Sequence, residues 1–277
     1  METLSLFTER WQKAKSQPFL DHQPMTGTPL CAWKNFYPPL LRQFDPQAKI
    51  VWKERLGCGL DGIVWKAEYN GRSCAVKVFW DNTPPEDRYW AIQQECHNAA
   101  LLQILQAAIG DTNTPIYLNP DPKTRKQALI NLHAFSDEGR HKEKLKQLSN
   151  AFPCTSIPPI RECFGWTKVI GRELWSLSLE NSPPSDTLKR CIWPHEEYYA
   201  IVYDFIPEGQ SLDRNVVQSQ LDFYYRAGFC LTAPMRADNW KGRGILIDMA
   251  DLICPWHVGW SESMFLKRRA EEILVEV

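Results

Sequence analysis

The stretch from Ile50 to Trp80 constrains this chain more than any other, because it sets three β-rich runs and a glycine loop in a fixed order. Ile50-Val51-Trp52-Lys53-Glu54-Arg55-Leu56 alternates apolar and polar residues, Gly57-Cys58-Gly59-Leu60-Asp61-Gly62 interrupts the alternation, and Ile63 to Tyr69 resumes a strand pattern. Asn70-Gly71 favours the positive backbone angles of a tight hairpin and returns the chain into Ser73 to Phe79. A dinucleotide-binding G-x-G-x-x-G must open a helix. Here a strand and a hairpin follow Gly62, so the dinucleotide reading fails on context.

Strand, glycine flap, strand, hairpin, then Ala75-Val76-Lys77 on the third strand, resembles the order in the small lobe of protein kinases. The next segment supplies a check. Arg88 to Leu105 has no Gly or Pro, and Ile92, Cys96, Ala99 and Leu102 recur at helical spacing. Glu95 sits beside that inward stripe, where a carboxylate is costly unless paired. Lys77 is the expected partner, as in the kinase lysine and helix-C glutamate pair; the alternative is a solvated Glu95 at the edge of the stripe.

The chain has 277 residues, 44% hydrophobic and 12% aromatic, enough for one large domain or two lobes and typical of a packed globule. Its net charge of -1 excludes whole-molecule attraction to nucleic acid, so a polyanion would need a local patch. No apolar run approaches a membrane span, and the N-terminus lacks the basic and apolar regions of a signal peptide. A soluble, cytoplasmic protein without membrane contact is expected. Nine cysteines form no C-x-x-C pair and read as small buried side chains, and the six histidines do not cluster, so no metal site is assigned.

Residues 1–49 read as an N-terminal extension packed on the small lobe, opening with an amphipathic helix from Leu4 to Lys15. Residues 50–206 read as the small lobe, carrying an insertion at 106–158 with a helical stretch around Lys142 to Leu148. Between 121 and 150 seven Lys or Arg face four acids. Either this is a solvated, partly mobile insertion, or Lys123, Arg125, Lys126, Lys142, Lys144 and Lys146 contact a phosphate backbone. Ile160 to Thr167 and Leu174 to Leu179 read as an antiparallel pair, and Tyr199 to Ile206 as a strand running into an acidic Pro-Gly turn. Leu212 to Ala227 reads as a helix stopped by Gly228.

Residues 207–277 read as a reduced large lobe. Asn239, a glycine turn, and Ile245 to Asp248 resemble the catalytic-loop Asn and metal-binding Asp of kinases, although their spacing is tighter. Counting back five from Asn239 reaches Pro234, where a kinase carries its catalytic Asp. Proline can neither accept a proton nor donate a backbone hydrogen bond, so phosphoryl transfer to a protein is disfavoured.

Tyr37-Pro38-Pro39-Leu40-Leu41, the Gly57 to Gly62 loop, Ala75-Val76-Lys77-Val78-Phe79 and Asn239-Trp240 through Asp248-Met249 together resemble a fungal family of small kinase-like proteins. Its members carry the label of a kinetochore Sim-complex (Fta-type) subunit, and some are arginine-containing cyclodipeptide synthases. The resemblance covers roughly residues 35 to 255. It implies an α+β, protein-kinase-like two-lobed fold, with an antiparallel small-lobe sheet, a helix C and a reduced large lobe. It also implies tRNA-dependent condensation of arginine, taken from arginyl-tRNA, with an aminoacyl group from a second charged tRNA.

That chemistry uses an activated ester, so it needs no ATP, cofactor or metal; it needs positioning, a proton acceptor and oxyanion stabilisation. Lys77, Glu95, Asp204, Glu208 and Asp248 are the expected catalytic residues. Asp204 and Glu208 stand nearest the family's acidic signature, without its second Asp, and would hold the guanidinium or serve as turn and cap residues. Gly57, Gly59, Asp61, Gly62 and Asn239 are the expected substrate-binding residues. Two other readings stay open: a pseudokinase-like binding module of the kinetochore type, and a small-molecule phosphotransferase using Mg-ATP.

Overall fold

The computed structural model describes residues 2–86, 88–110, 114–140, 142–177, 190–232 and 236–274. The glycine-loop segment forms β3 (Val51–Cys58), β4 (Gly62–Tyr69) and β5 (Arg72–Phe79), joined by antiparallel ladders. Asn70 (φ 48) and Gly71 (φ 76) take the positive angles that a two-residue hairpin demands. The other strands of this sheet come from both sides in sequence. β1 (Leu20–Pro24) and β2 (Leu41–Gln43) precede it, while β8 (Cys163–Ile170) and β9 (Glu197–Asp204) follow.

The resulting seven-stranded sheet has the order β1-β2-β8-β9-β5-β4-β3. It is mixed rather than antiparallel throughout, because β1 with β2 and β2 with β8 pair in parallel. The N-terminal segment therefore extends the sheet as well as packing on it. Its helix, α1, spans Glu2–Lys15. Gly165 (φ 117) allows the join at β2, since a Cβ there would lie 2.6 Å from the Arg42 carbonyl oxygen.

Helix α2 (Ala91–Gly110) is the hub, and it is buried on nearly every side. Its apolar stripe packs on the sheet. Polar residues on its other faces meet backbone: Gln93 donates to the carbonyls of Ala14, Lys15 and Gln17, Gln94 to Ala250 and Leu252, and Asn98 to Met249 and Leu252. The amide nitrogens of these three residues thus tie α2 to the N-terminal segment and to the turn at 249–252. The helix begins at Ala91 rather than Arg88, because the three residues before it are held at the end of β5. Arg88 pairs with Asp81, Tyr89 donates to Asp61, and the Trp90 indole donates to the Asp81 carbonyl.

Two sequence expectations are corrected on the insertion and the segment after it. The insertion is packed, not a solvated loop. β6 (Ile116–Leu118) pairs with β7 (Phe152–Cys154), and between them lie α3 (Arg125–Ala134) and the short α4 (Glu143–Lys146). Thr124 and Gln127 close a capping box on α3, and buried Asn131 ties the Asn119 backbone to the Arg226 carbonyl at the end of α6 (Arg214–Ala227). The partner of β8 is β9, not Leu174 to Leu179. After Ile170 the chain turns into α5 (Gly171–Trp175), since the Gly171 and Arg172 amides donate to the carbonyls of Glu196 and Pro194 on the way into β9. Residues 178 and 179 lie outside the described residues.

The rest of the chain is α6 (Arg214–Ala227), capped by Asp213 and ended by Gly228 (φ 96), followed by β10 (Cys230–Leu231), β11 (Trp240–Lys241), β12 (Ile245–Leu246), β13 (Leu252–Ile253) and α7 (Ala270–Ile273). All nine cysteines are free thiols and seven are buried, the small apolar role read from sequence. No helix among the described residues is long and apolar enough to cross a membrane.

Candidate functional site

β5 carries Lys77 at a position whose side chain faces α2 rather than solvent. Its ammonium lies 2.6 Å from Glu95 Oε2 and 3.0 Å from Asp248 Oδ1. Glu95 is fully buried one turn into α2, and its other oxygen accepts from Tyr203 Oη at 2.9 Å. The solvated alternative for Glu95 is therefore excluded. Asp248 comes from the far end of the chain and is 30% exposed at its side chain, so it is the member of the trio that meets solvent. Its Oδ1 also accepts from the Ala250 amide, which fixes the short turn Met249–Asp251.

These contacts divide the charge unequally. Burial opposes the Lys77 ammonium, yet Asp248, Glu95 and Asp61 together hold its pKa well above the ordinary lysine value. Burial also works against Asp248, but Lys77 outweighs it and keeps that carboxyl below the usual range. Glu95 is the group that gives way, pushed up to about 7 by burial despite Lys77. The ion pair on the solvent side is then Lys77 with Asp248, with Glu95 a titratable brace behind it.

Two more carboxyls face this centre. Asp61, in the glycine loop, receives Tyr89 Oη at 2.8 and 2.7 Å on its two oxygens, and burial raises its pKa against the pull of Lys77. Asp251 accepts from Asn239 Nδ2 at 2.7 Å and Thr232 Oγ1 at 3.0 Å, and burial and Asp248 raise it. Asn239 thus holds Asp251 rather than standing beside Asp248 as a second free ligand. On the opposite wall half-buried Arg161 stacks on Tyr203 (4.6 Å) and donates to the carbonyls of Asp204 and Ile247. A cavity of about 10 Å³ lies behind these two residues, which is room for about one water.

The glycine loop is closed on itself. The Gly59 amide donates to the Gly62 carbonyl at 2.9 Å, and Trp80 donates twice, from its indole to the Gly59 carbonyl and from its amide to the Asp61 carbonyl. Only one of the three glycines is demanded by packing: a Cβ at Gly62 would sit 2.2 Å from the Val78 oxygen, whereas one at Gly57 or Gly59 would meet nothing within 4 Å.

Of the sequence-predicted site, Lys77, Glu95, Asp248, Asp61 and Asn239 with its partner Asp251 converge. Asp204 and Glu208 do not join them. Asp204 pairs with Arg72 at 3.1 Å, and Glu208 with Lys241 at 2.6 Å with its own side chain 75% exposed. The strand pleat explains the first case: Tyr203 points to Glu95, so its neighbour Asp204 points the other way. Sequence reasoning missed Tyr89, Tyr203, Arg161 and Asp251. Asp251, three residues after Asp248, was the one with a visible signal.

The basic residues of the insertion are spread. Lys123 pairs with Asp121 at 2.6 Å, while the Arg125 guanidinium donates to the Trp260 carbonyl and lies over its ring, and the Arg125 backbone amide donates to Glu262. Lys126, Lys142 and Lys146 are exposed, while Lys144 contributes its backbone to α4 and its side chain lies outside the described residues, as does Pro234 altogether. A larger cavity of about 290 Å³, with Leu118, Phe152, Phe223 and Arg226 in its lining, holds none of the predicted site residues. Neither a family model nor a curated protein sequence matches the chain.

Proposed function

We propose that the chain has a protein-kinase-like fold turned to aminoacyl transfer, as an arginine-containing cyclodipeptide synthase that draws on arginyl-tRNA and a second charged tRNA. The sheet order β3-β4-β5-β9-β8, with α2 lying under β5 and supplying the partner of Lys77, supports the kinase-like reading. The observation that carries the functional reading is the excess of acid around Lys77. Asp61, Glu95, Asp248 and Asp251 all act with it, against one further half-buried cation, Arg161, on the same centre among the described residues. Arg190, which also acts on Asp61, is already paired with Asp81.

A surplus of carboxylates suits a ligand that brings positive charge, and a guanidinium meets a carboxylate through two parallel hydrogen bonds. Asp248 is the solvent-facing candidate for that contact, in place of Asp204 and Glu208. In the transfer, the α-amine of one aminoacyl group attacks the ester carbonyl of the other. A C–N bond forms, the ester C–O bond to the tRNA ribose breaks, and the amine proton passes through a carboxylate to the departing ribose oxygen; a second such attack closes the ring and frees the second tRNA. Lys126, Lys142 and Lys146 are exposed and would meet the RNA backbone.

The Lys77, Glu95 and Asp248 trio also favours the phosphotransferase reading with Mg-ATP, and the pseudokinase-like binding reading shares it. Against nucleotide stands the loop, whose Gly59 amide is already spent on Gly62. Mass spectrometry of extracts from bacteria expressing the chain tests the proposal. Cyclic dipeptides containing arginine, absent from an empty-vector control, are expected; soluble protein without such a product overturns it in favour of the binding module.

A further inference from the structure

A close-packed interior leaves few voids larger than a water molecule, yet one remains between the insertion and α6. Its volume is about 290 Å³, at the lower end of the range of small-molecule pockets. Leu118 and Phe152, register partners across β6 and β7, give it apolar walls together with Ile157 beyond β7 and Phe223 on α6. Cys154 adds to that side, since burial pushes its thiol up to about 11 and keeps it neutral.

The charged part of the lining is unbalanced. Asp222 accepts from Gln218 Nε2 at 2.9 Å and from Arg226 Nη2 at 3.1 Å, and Lys267 Nζ stands 3.9 Å away. Two cations therefore flank one carboxylate whose oxygens are both engaged. Half-buried Arg226 is also held in place, because its guanidinium lies 4.0 Å from the centre of the Phe152 ring while Asp222 tethers one end. Among the described residues nothing accepts from its Nε or Nη1. A guanidinium oriented in advance loses little freedom on meeting a ligand.

We propose that this cavity binds a small carboxylic acid with an apolar body, its carboxylate on Arg226 and its chain or ring between Leu118, Phe152 and Phe223. An amine would meet Arg226 and Lys267 with like charge. An alcohol of the same length would cover the same walls without the charge-assisted hydrogen bonds. The proposal goes beyond aminoacyl transfer and rests neither on it nor on the kinase-like reading.

Calorimetric titration of the purified full chain with octanoate, octanol and octylamine tests it. Octanoate is expected to bind saturably at a single site, about tenfold or more tighter than octanol, and octylamine to show no saturable binding at the same millimolar concentrations. Arg226→Gln is expected to bring octanoate down to the level of octanol and to leave octanol unchanged. Ser219→Trp, at an exposed position of α6 on the rim, is expected to abolish binding of both by filling the mouth. Circular dichroism confirms that each variant is folded. No octanoate binding by wild type, equal binding of acid and alcohol, an undiminished preference for the acid in Arg226→Gln, or undiminished binding in Ser219→Trp each overturns the inference.

Discussion

Lys77 and Glu95 meet at 2.6 Å with the glutamate fully buried, so the lysine is what makes that carboxylate tolerable inside the protein. Lys77→Ala is expected to cost on the order of 3 kcal/mol, because it strands a buried acid. Glu95→Gln is expected to cost less, since Asp248 still pairs with Lys77 and the amide can still accept from one neighbour. Urea unfolding of the two variants measures the difference; equal costs would mean that Glu95 does not depend on Lys77.

Among the loop glycines, only Gly62 is built into the packing. Gly62→Ala is expected to destabilise by about 2 kcal/mol or more, through the clash with the Val78 carbonyl, whereas Gly57→Ala and Gly59→Ala stay within about 1 kcal/mol of wild type. Thermal melts of the three variants check this.

Acid acts on the two sides of α2 in opposite directions. Burial depresses His97 and His257 to about 4, below the unfolded value, so their contribution to stability is present above that value and is lost as pH falls through the folded one. Between pH 7 and 5 each histidine costs roughly 2 kcal/mol. Glu95, raised to about 7, works the other way: its favourable contribution is full below the unfolded carboxylate value and is lost as pH rises through about 7. Stability at pH 5 relative to pH 7 should therefore rise in His97→Gln, where an amide can still donate to the Pro18 carbonyl, and fall in Glu95→Gln. Denaturant midpoints at the two pH values decide it.

If the acid-rich centre is the site of aminoacyl transfer, the acids do not contribute equally. Asp248→Asn is expected to lower cyclic dipeptide yield at least 100-fold, while Asp204→Asn and Glu208→Gln, whose partners Arg72 and Lys241 lie elsewhere, change it less than about threefold. Quantitative mass spectrometry of the product from each variant is the measurement.

Much of this centre could be read from local order. The glycine loop, the Asn-Gly hairpin and the apolar spacing of 88–105 were enough to place Lys77 on a strand and Glu95 on the helix opposite it, because strand and helix periods are properties of neighbouring residues. The packed insertion was less legible. Thr124 and Gln127 carried a capping signal for α3, but its composition reads as solvated, and its burial comes from distant partners such as the Arg226 carbonyl that Asn131 meets and the Tyr225 hydroxyl that meets Asp121 and Pro122. The turn at Gly171 was hidden for a similar reason, since the carbonyls that stop β8 come from residues 194 and 196.

By itself the sequence determined the three central strands and the helix that crosses them, and offered the Lys77 and Glu95 pair as one of two readings. The tertiary structure alone decided which further carboxyls reach that pair. Asp61, Asp248 and Asp251 come from segments up to 190 positions apart, and Asp204 and Glu208, which share the acidic chemistry, turn to other partners. Periodicity specifies the face a residue takes on its own element; the distance between two charges depends on how the whole chain packs.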